Sequence, residues 1–160
     1  MNENSTLLNG YCHLVNKTIL FVQKYFEGII PAGRLDQDIY WKTKTLYDKT
    51  QTLLEEQRLD EAAGLLEEFL RYANDYFDEA RPWETSRTDR RGCRNTVLNT
   101  VQLIANLTVL LSPIFDYPTV KVSGWLSLTS DWKVQSVHSG YELPATELIA
   151  VLDSGSECIS

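Results

Sequence analysis

Histidine is nearly absent from this chain: His13 and His138 are its only two. Neither a His-x-x-x-His pair nor a His–Cys cluster can be assembled from them, and no Asp-x-Asp loop offers a metal site, so a metal centre is not expected. The eight glycines fall into neither of the phosphate-cradling patterns, Gly-x-x-x-x-Gly-Lys-Ser/Thr or Gly-x-Gly-x-x-Gly, and no Gly-x-Ser-x-Gly elbow presents a nucleophile. No cofactor is expected. Cysteine is equally sparse. Cys12, Cys93 and Cys158 are odd in number, far apart and without Cys-x-x-Cys spacing. This predicts reduced thiols, with Cys12 as a core residue. Long apolar runs are missing too; none reaches the ~20 residues needed to span a bilayer. The start, Met1-Asn2-Glu3-Asn4-Ser5, is polar and has no basic flank, which is not the pattern of a signal or transit peptide. The sequence is therefore expected to be cytoplasmic, with no membrane partner.

What is present is ordinary globular material: 160 residues, 43% hydrophobic and 23% charged, enough for one domain with a real core. The net charge of −7 argues against general nucleic-acid binding, but leaves room for a local site that recognises one folded RNA through stacking and a few polar groups. The acidic pairs Glu55-Glu56, Glu67-Glu68 and Asp78-Glu79 lie in helical stretches. Adjacent helical residues point about 100° apart, so these pairs do not converge as a general acid and base and read as a solvated face.

The helix period dominates the first two thirds. Leu8, Cys12, Val15, Ile19, Val22 and Phe26 mark one face of a first helix, stopped by Gly28 and Pro31, with Ser5 as a plausible cap. A second helix is expected from the cap Asp36 to about Gln57, with a weaker stripe of Ile39, Thr43, Leu46, Thr50 and Leu53. A third, capped by Asp60, has Leu59, Ala63, Leu66, Leu70, Ala73 and Phe77 in strict four-three spacing and is expected to end at Pro82. A fourth begins near Thr88 or Asp89. Val97, Val101, Ile104, Thr108 and Leu111, widened by Leu98, Leu103, Leu107 and Leu110, mark it as the central, most buried helix, closed by Pro113. A short fifth helix is expected over 120–128. The fold class expected is all-α, a helical bundle over residues 1–130, with 131–160 as an extended C-terminal tail that packs on the bundle or is partly disordered.

One stretch departs from a plain bundle: Tyr72-Ala73-Asn74-Asp75-Tyr76-Phe77-Asp78-Glu79-Ala80-Arg81-Pro82-Trp83. It resembles the anticodon-binding domain of the methionyl-tRNA synthetases, where a helix ends in Asn-x-Tyr-hydrophobic-Asp-Glu, followed by two residues and Pro-Trp. Leu14-Val15-Asn16-Lys17 and Phe21-Val22-Gln23-Lys24-Tyr25-Phe26-Glu27-Gly28 are similar to the first helix of that domain. Leu110-Leu111-Ser112-Pro113-Ile114-Phe115 resembles the motif after its central helix, and Glu147 to Asp153 falls where the family has a Leu-Phe-Pro-Arg-Ile-Asp-like segment. These matches keep their order across most of the chain.

The resemblance implies binding of a tRNA anticodon loop, with Trp83 as a platform on which an anticodon base stacks; the plain alternative is that Trp83 plugs the bundle end. The family reads anticodon base edges with an Asn and, four residues later, an Arg. His13 and Lys17 stand at those positions. The i,i+4 spacing keeps them on one face, but His lacks the donor-plus-acceptor fork of an amide and Lys the planar fork of Arg. Weak binding with relaxed choice of anticodon is therefore expected. Where the family has Pro-Arg near the C-terminus, this chain has Ala150-Val151. Arg87, Arg90, Arg91 and Arg94 form the one basic cluster, suited to stem phosphates or simply to a solvated helix start. The class I signatures of the His-Ile-Gly-His and Lys-Met-Ser-Lys-Ser types are absent. No catalysis by this chain alone is expected, and a catalytic synthetase domain in cis or trans is an implied partner. The sequence is compatible with an excised piece and with a stand-alone paralogue. The alternative function is a protein-interaction bundle that has lost tRNA reading.

Overall fold

A computed structural model describes residues 3–115, 117–129, 131–137, 139–140, 142–143, 150–151 and 158–159. Its helices are α1 (Glu3–Phe26), α2 (Gln37–Glu55), α3 (Leu59–Ala80), α4 (Pro82–Thr88), α5 (Arg90–Leu111) and α6 (Tyr117–Leu126). The antiparallel pair β1 (Ala150–Val151) and β2 (Cys158–Ile159) follows, with Ala150 opposite Ile159. The chain is an all-α bundle of four long helices. No helix among the described residues is long and apolar enough to cross a membrane.

The helix α5 is the axis of the bundle. Every residue from Thr96 to Leu111 is buried, because α1, α2, α3, α4 and α6 all pack against it. A helix buried on all sides must satisfy its own polar groups. Thr96, Thr100 and Thr108 donate to the carbonyls of Gly92, Thr96 and Ile104, one turn back. The longer polar side chains tie in other segments. Asn99 accepts from the Asp36 amide and donates to the Arg34 carbonyl, strapping the loop before α2 to the axis. Asn106 accepts from the Tyr47 hydroxyl at 2.9 Å and from the Gln135 amide at 2.6 Å, and Gln102 donates to the Gln135 carbonyl.

Local signals explain most boundaries. Asp36 caps α2 by accepting from the Asp38 amide, and Asp89 caps α5 by accepting from Gly92 at 3.0 Å. Gly28 takes φ +82° after α1, a left-handed conformation that suits glycine. Its carbonyl accepts from Leu143, and Ile29 bridges Glu142, so the chain returns alongside residues 28–30.

Several expectations need correction. The third helix starts at Leu59 with Arg58 as its N-cap; Asp60 is in its first turn, where an acid favours the helix dipole without capping it. Residues 82–88, expected as a connection, form α4, because proline at the first helical position fits a helix start as well as a stop. The short helix after Pro113 runs over Tyr117–Leu126, slightly earlier than 120–128. Cys12 is disulfide-bonded, against the expectation of three reduced thiols, while Cys93 is free and buried. Sequence spacing gave no sign of this; β2, which carries Cys158, packs against α1 in the folded chain. His138 lies outside the described residues.

Candidate nucleic-acid interface

The turn between α3 and α4 builds the site. Arg81 ends one helix and begins the next in a left-handed conformation, φ 49° and ψ 59°, unusual for a residue with a side chain. Pro82 follows, buried, and its carbonyl accepts from the Cys93 thiol at 3.5 Å, which anchors α4 to α5. Burial holds that thiol above its usual pKa, so it packs as a neutral group. With the turn fixed, Trp83 emerges at 40% exposure, tilted against the Phe77 ring with centroids 6.3 Å apart.

The same ring also meets α1. The Lys17 ammonium lies 5.2 Å from the Phe77 centroid and 3.0 Å from an Asp78 carboxylate oxygen. Phe21, one turn further along α1, meets Phe77 edge-on at 5.7 Å. His13 is exposed one turn before Lys17 on α1. Lys17 and Trp83, separated by the whole of α2 and α3 in sequence, thus share one aromatic floor at one seam of the bundle. Phe77 was legible in the sequence as part of an apolar stripe, and Asp78 as part of a solvated acidic pair. Their roles, floor and counter-charge, depend on helix packing that spacing does not disclose.

The arginines divide. Arg87 is exposed one turn after Trp83 on α4, and Arg91 is exposed at the start of α5. Among the described residues, neither makes an ion pair, nor does Arg94. Arg90 is already employed: it donates to the Tyr25 carbonyl at 3.1 Å and lies 4.6 Å over the Phe26 ring, closing the C-terminal end of α1. No group of three His, Cys, Asp or Glu side chains among the described residues is arranged to hold a metal ion.

The chain is 36% identical over 143 residues to methionine–tRNA ligase 1 of Alkaliphilus oremlandii, covering 89% of this chain and 26% of that protein. It is 35% identical over 136 residues to methionine–tRNA ligase 1 of Bacillus cereus, covering 84% and 25%. It is homologous to one segment of the methionyl-tRNA synthetases. The resemblance carried by Tyr72 to Trp83 is thereby borne out. The chain spans about a quarter of the length of the curated relatives it matches. No protein-family model matches it. Among solved structures, the free form of Mycobacterium tuberculosis methionyl-tRNA synthetase superposes with a TM-score of 0.77 over 89% of this chain and 31% of that one, at 18% identity. The same enzyme bound by methionyl-adenylate gives 0.76 at 19% identity, over 88% and 30%. At such identities the likeness concerns the fold.

Proposed function

We propose that this chain is a tRNA-binding domain of the methionyl-tRNA synthetase type, taking an unstacked anticodon loop against Trp83 with weak or relaxed choice of anticodon. The observation that carries this reading is the convergence of Lys17 and Trp83 on the Phe77 ring. It joins an exposed indole face, a cation and a polar neighbour, His13, at one seam. A single-stranded loop needs such a platform, since every base has a face to stack and a backbone to neutralise. Arg87 and Arg91 extend the positive charge towards the stem. Arg90 holds α1 and α5 together and supplies charge without reaching. Lys17 is shared with Asp78, so a phosphate or base must compete with the carboxylate, which keeps binding weak. The chain does no chemistry alone; adenylate formation belongs to a catalytic synthetase domain, in cis or trans.

The test is titration of methionine tRNA and an anticodon-swapped version against wild type, Trp83→Ala and Lys17→Ala, at low and moderate salt. Wild type is expected to bind with about micromolar affinity, on the order of −8 kcal/mol. Trp83→Ala should weaken binding by roughly 1–3 kcal/mol for the lost stack. The effect of Lys17→Ala should shrink as salt is added, if it meets only a phosphate. Equal binding by wild type and Trp83→Ala sinks the stacking role. Failure of both tRNAs to bind at low salt would favour the second reading, a protein-interaction bundle, to which the net charge of −7 already inclines.

A further inference from the structure

On the opposite flank of α3 from Lys17 and Trp83, the seam between α2 and α3 is an open groove of about 630 Å³. Its floor is apolar, with Leu46, Leu65, Phe69 and Tyr72; the Phe69 and Tyr72 rings stack at 5.9 Å. Trp41 stands on the α2 rim at 58% exposure, braced edge-on by Tyr40 at 5.1 Å. A second hollow, about 440 Å³, shares Lys49 and Leu65 with the first and continues to Leu53. Together they run from Asp38 to Leu53 of α2, about 22 Å at a rise of about 1.5 Å per residue. An open, elongated seam between two antiparallel helices has the shape to receive further helices.

The charges identify the occupant. On the α2 side, Lys42 and Lys49 stand two turns apart, with Asp38 one turn before Lys42 at the groove's end; among the described residues neither lysine has a carboxylate partner, whereas Lys44 is already paired with Asp48 at 3.6 Å. The α3 side carries Glu68, also without an ion pair among the described residues. The Lys42 ammonium lies 5.5 Å from the Tyr72 centroid, which fixes the register of the two helices. Glu68, one turn before Tyr72 on the antiparallel α3, is therefore level with Leu46, between the two lysines. A two-fold axis parallel to the groove sets α2 of one copy over α3 of the other at the same level. Each Glu68 then lies between Lys42 and Lys49 of the partner, a contact that occurs twice in the dimer, and each Trp41 meets apolar floor. The surface is complementary to itself, as an isologous contact requires.

We propose that the α2–α3 groove is a self-association surface, occupied by the same groove of a second copy of this chain. A face of this length and two helices wide is on the order of 400 Å² per copy, about half that of a standard stable interface, so the dimer is weak and concentration-dependent. It leaves the Trp83 seam uncovered.

Sedimentation equilibrium of the full chain tests it, using wild type, Lys49→Glu, Glu68→Lys and the double variant; both side chains are exposed, and circular dichroism checks that each variant folds. Wild type should be largely monomer at about 1 µM and show dimer by about 1 mM. Each single reversal places like charges at both symmetry-related contacts and should weaken association about tenfold, with the double variant returning to within about threefold of wild type. Wild type that stays monomeric at about 1 mM overturns the proposal, as does a double variant no stronger than either single one. Trp83→Ala should dimerise like wild type and Lys49→Glu should bind tRNA like wild type, so this proposal and the tRNA reading fail separately.

Discussion

Arg81 is the residue on which the presentation of Trp83 depends. Its left-handed backbone turns the chain between α3 and α4 in a single step, so α4 starts at once with Pro82. An L-residue held there costs about 1–2 kcal/mol relative to a right-handed conformation, and glycine escapes most of this while losing some entropy on folding. Arg81→Gly should therefore raise stability by up to ~1 kcal/mol, because the exposed 3.3 Å pair between Arg81 and Glu84 is worth little. Arg81→Val, β-branched and poorly suited to the same backbone, should lower stability by roughly 1–3 kcal/mol and weaken tRNA binding by displacing the indole. Urea unfolding of the pair settles the sign; a gain in stability for Arg81→Val would show that the turn is not strained.

Lys17 offers a second reading at this scale. Its side chain is 21% exposed and that of Asp78 58%. An ion pair so open to solvent contributes about 0–1 kcal/mol, and Lys17→Ala also removes the ammonium that lies over the Phe77 ring. The expected outcome is a loss of about 1 kcal/mol or less in urea unfolding. A loss of several kcal/mol would show that the seam is structural first and that its geometry serves the core rather than RNA.

Among the elements, the long helices were legible in the sequence because each carries an apolar stripe with the right period, and α5, with its wide apolar surface, was legible as the axis. The helix α4 was not. It has seven residues, one large apolar side chain and a proline that marks a stop as readily as a start. The site was half legible. His13, Lys17 and Trp83 follow from an ordered set of motifs. The link between Lys17 and Asp78 spans 61 residues and exists only because α1 lies against α3. Arg90 was expected among phosphate ligands by its neighbours in sequence, yet the end of α1 comes within its reach and takes it. The cystine at Cys12 illustrates the same limit, since no local pattern encodes the return of β2 to α1.

The attachment of the segment after α6 to the bundle is also decided between elements. Asn106 of α5 is fully buried and joins Tyr47 of α2 to Gln135 through both ends of its amide. Replacing it with alanine leaves the buried Tyr47 hydroxyl and the Gln135 backbone N–H without their side-chain acceptor, while the Gln135 carbonyl keeps Gln102; the cost is about 1–3 kcal/mol for each unsatisfied group. Asn106→Ala should therefore lower stability by roughly 2–4 kcal/mol, and hydrogen exchange should quicken at the Gln135 amide before it does at α5. Unchanged protection at Gln135 would show that the segment is held by its apolar contacts alone.

At the scale of the whole molecule, three tyrosines from three helices converge on the one central helix. The Tyr11 hydroxyl of α1 meets Thr108 at 2.6 Å, and that of Tyr47 in α2 donates to Asn106. The hydroxyl of Tyr76 in α3 faces Asn99 and Thr96. Burial raises all three phenols above their usual range, Tyr76 to about 12, with the Asp36 carboxylate adding to the shift. In the unfolded chain a tyrosine releases its proton near pH 10. Between that value and the higher native one, the folded state holds more protons than the unfolded state, so stability falls as pH rises. Each contribution is complete below about pH 10 and is lost as pH rises through the native value, about 12 for Tyr76 and higher for Tyr11 and Tyr47, and all three groups act in the same direction on the same helix. Urea midpoints should thus be flat up to about pH 9.5 and then drop steeply. Of the eight tyrosines, these three should ionise only as helical structure is lost, seen by following phenolate absorbance and circular dichroism together. Tyr76→Phe removes one titrating group without emptying its site, and its stability should fall less steeply over that range. If all eight tyrosines ionise while the helices remain intact, the hydroxyls that face α5 are open to water and the bundle is looser around its axis than the packing of α1, α2 and α3 requires.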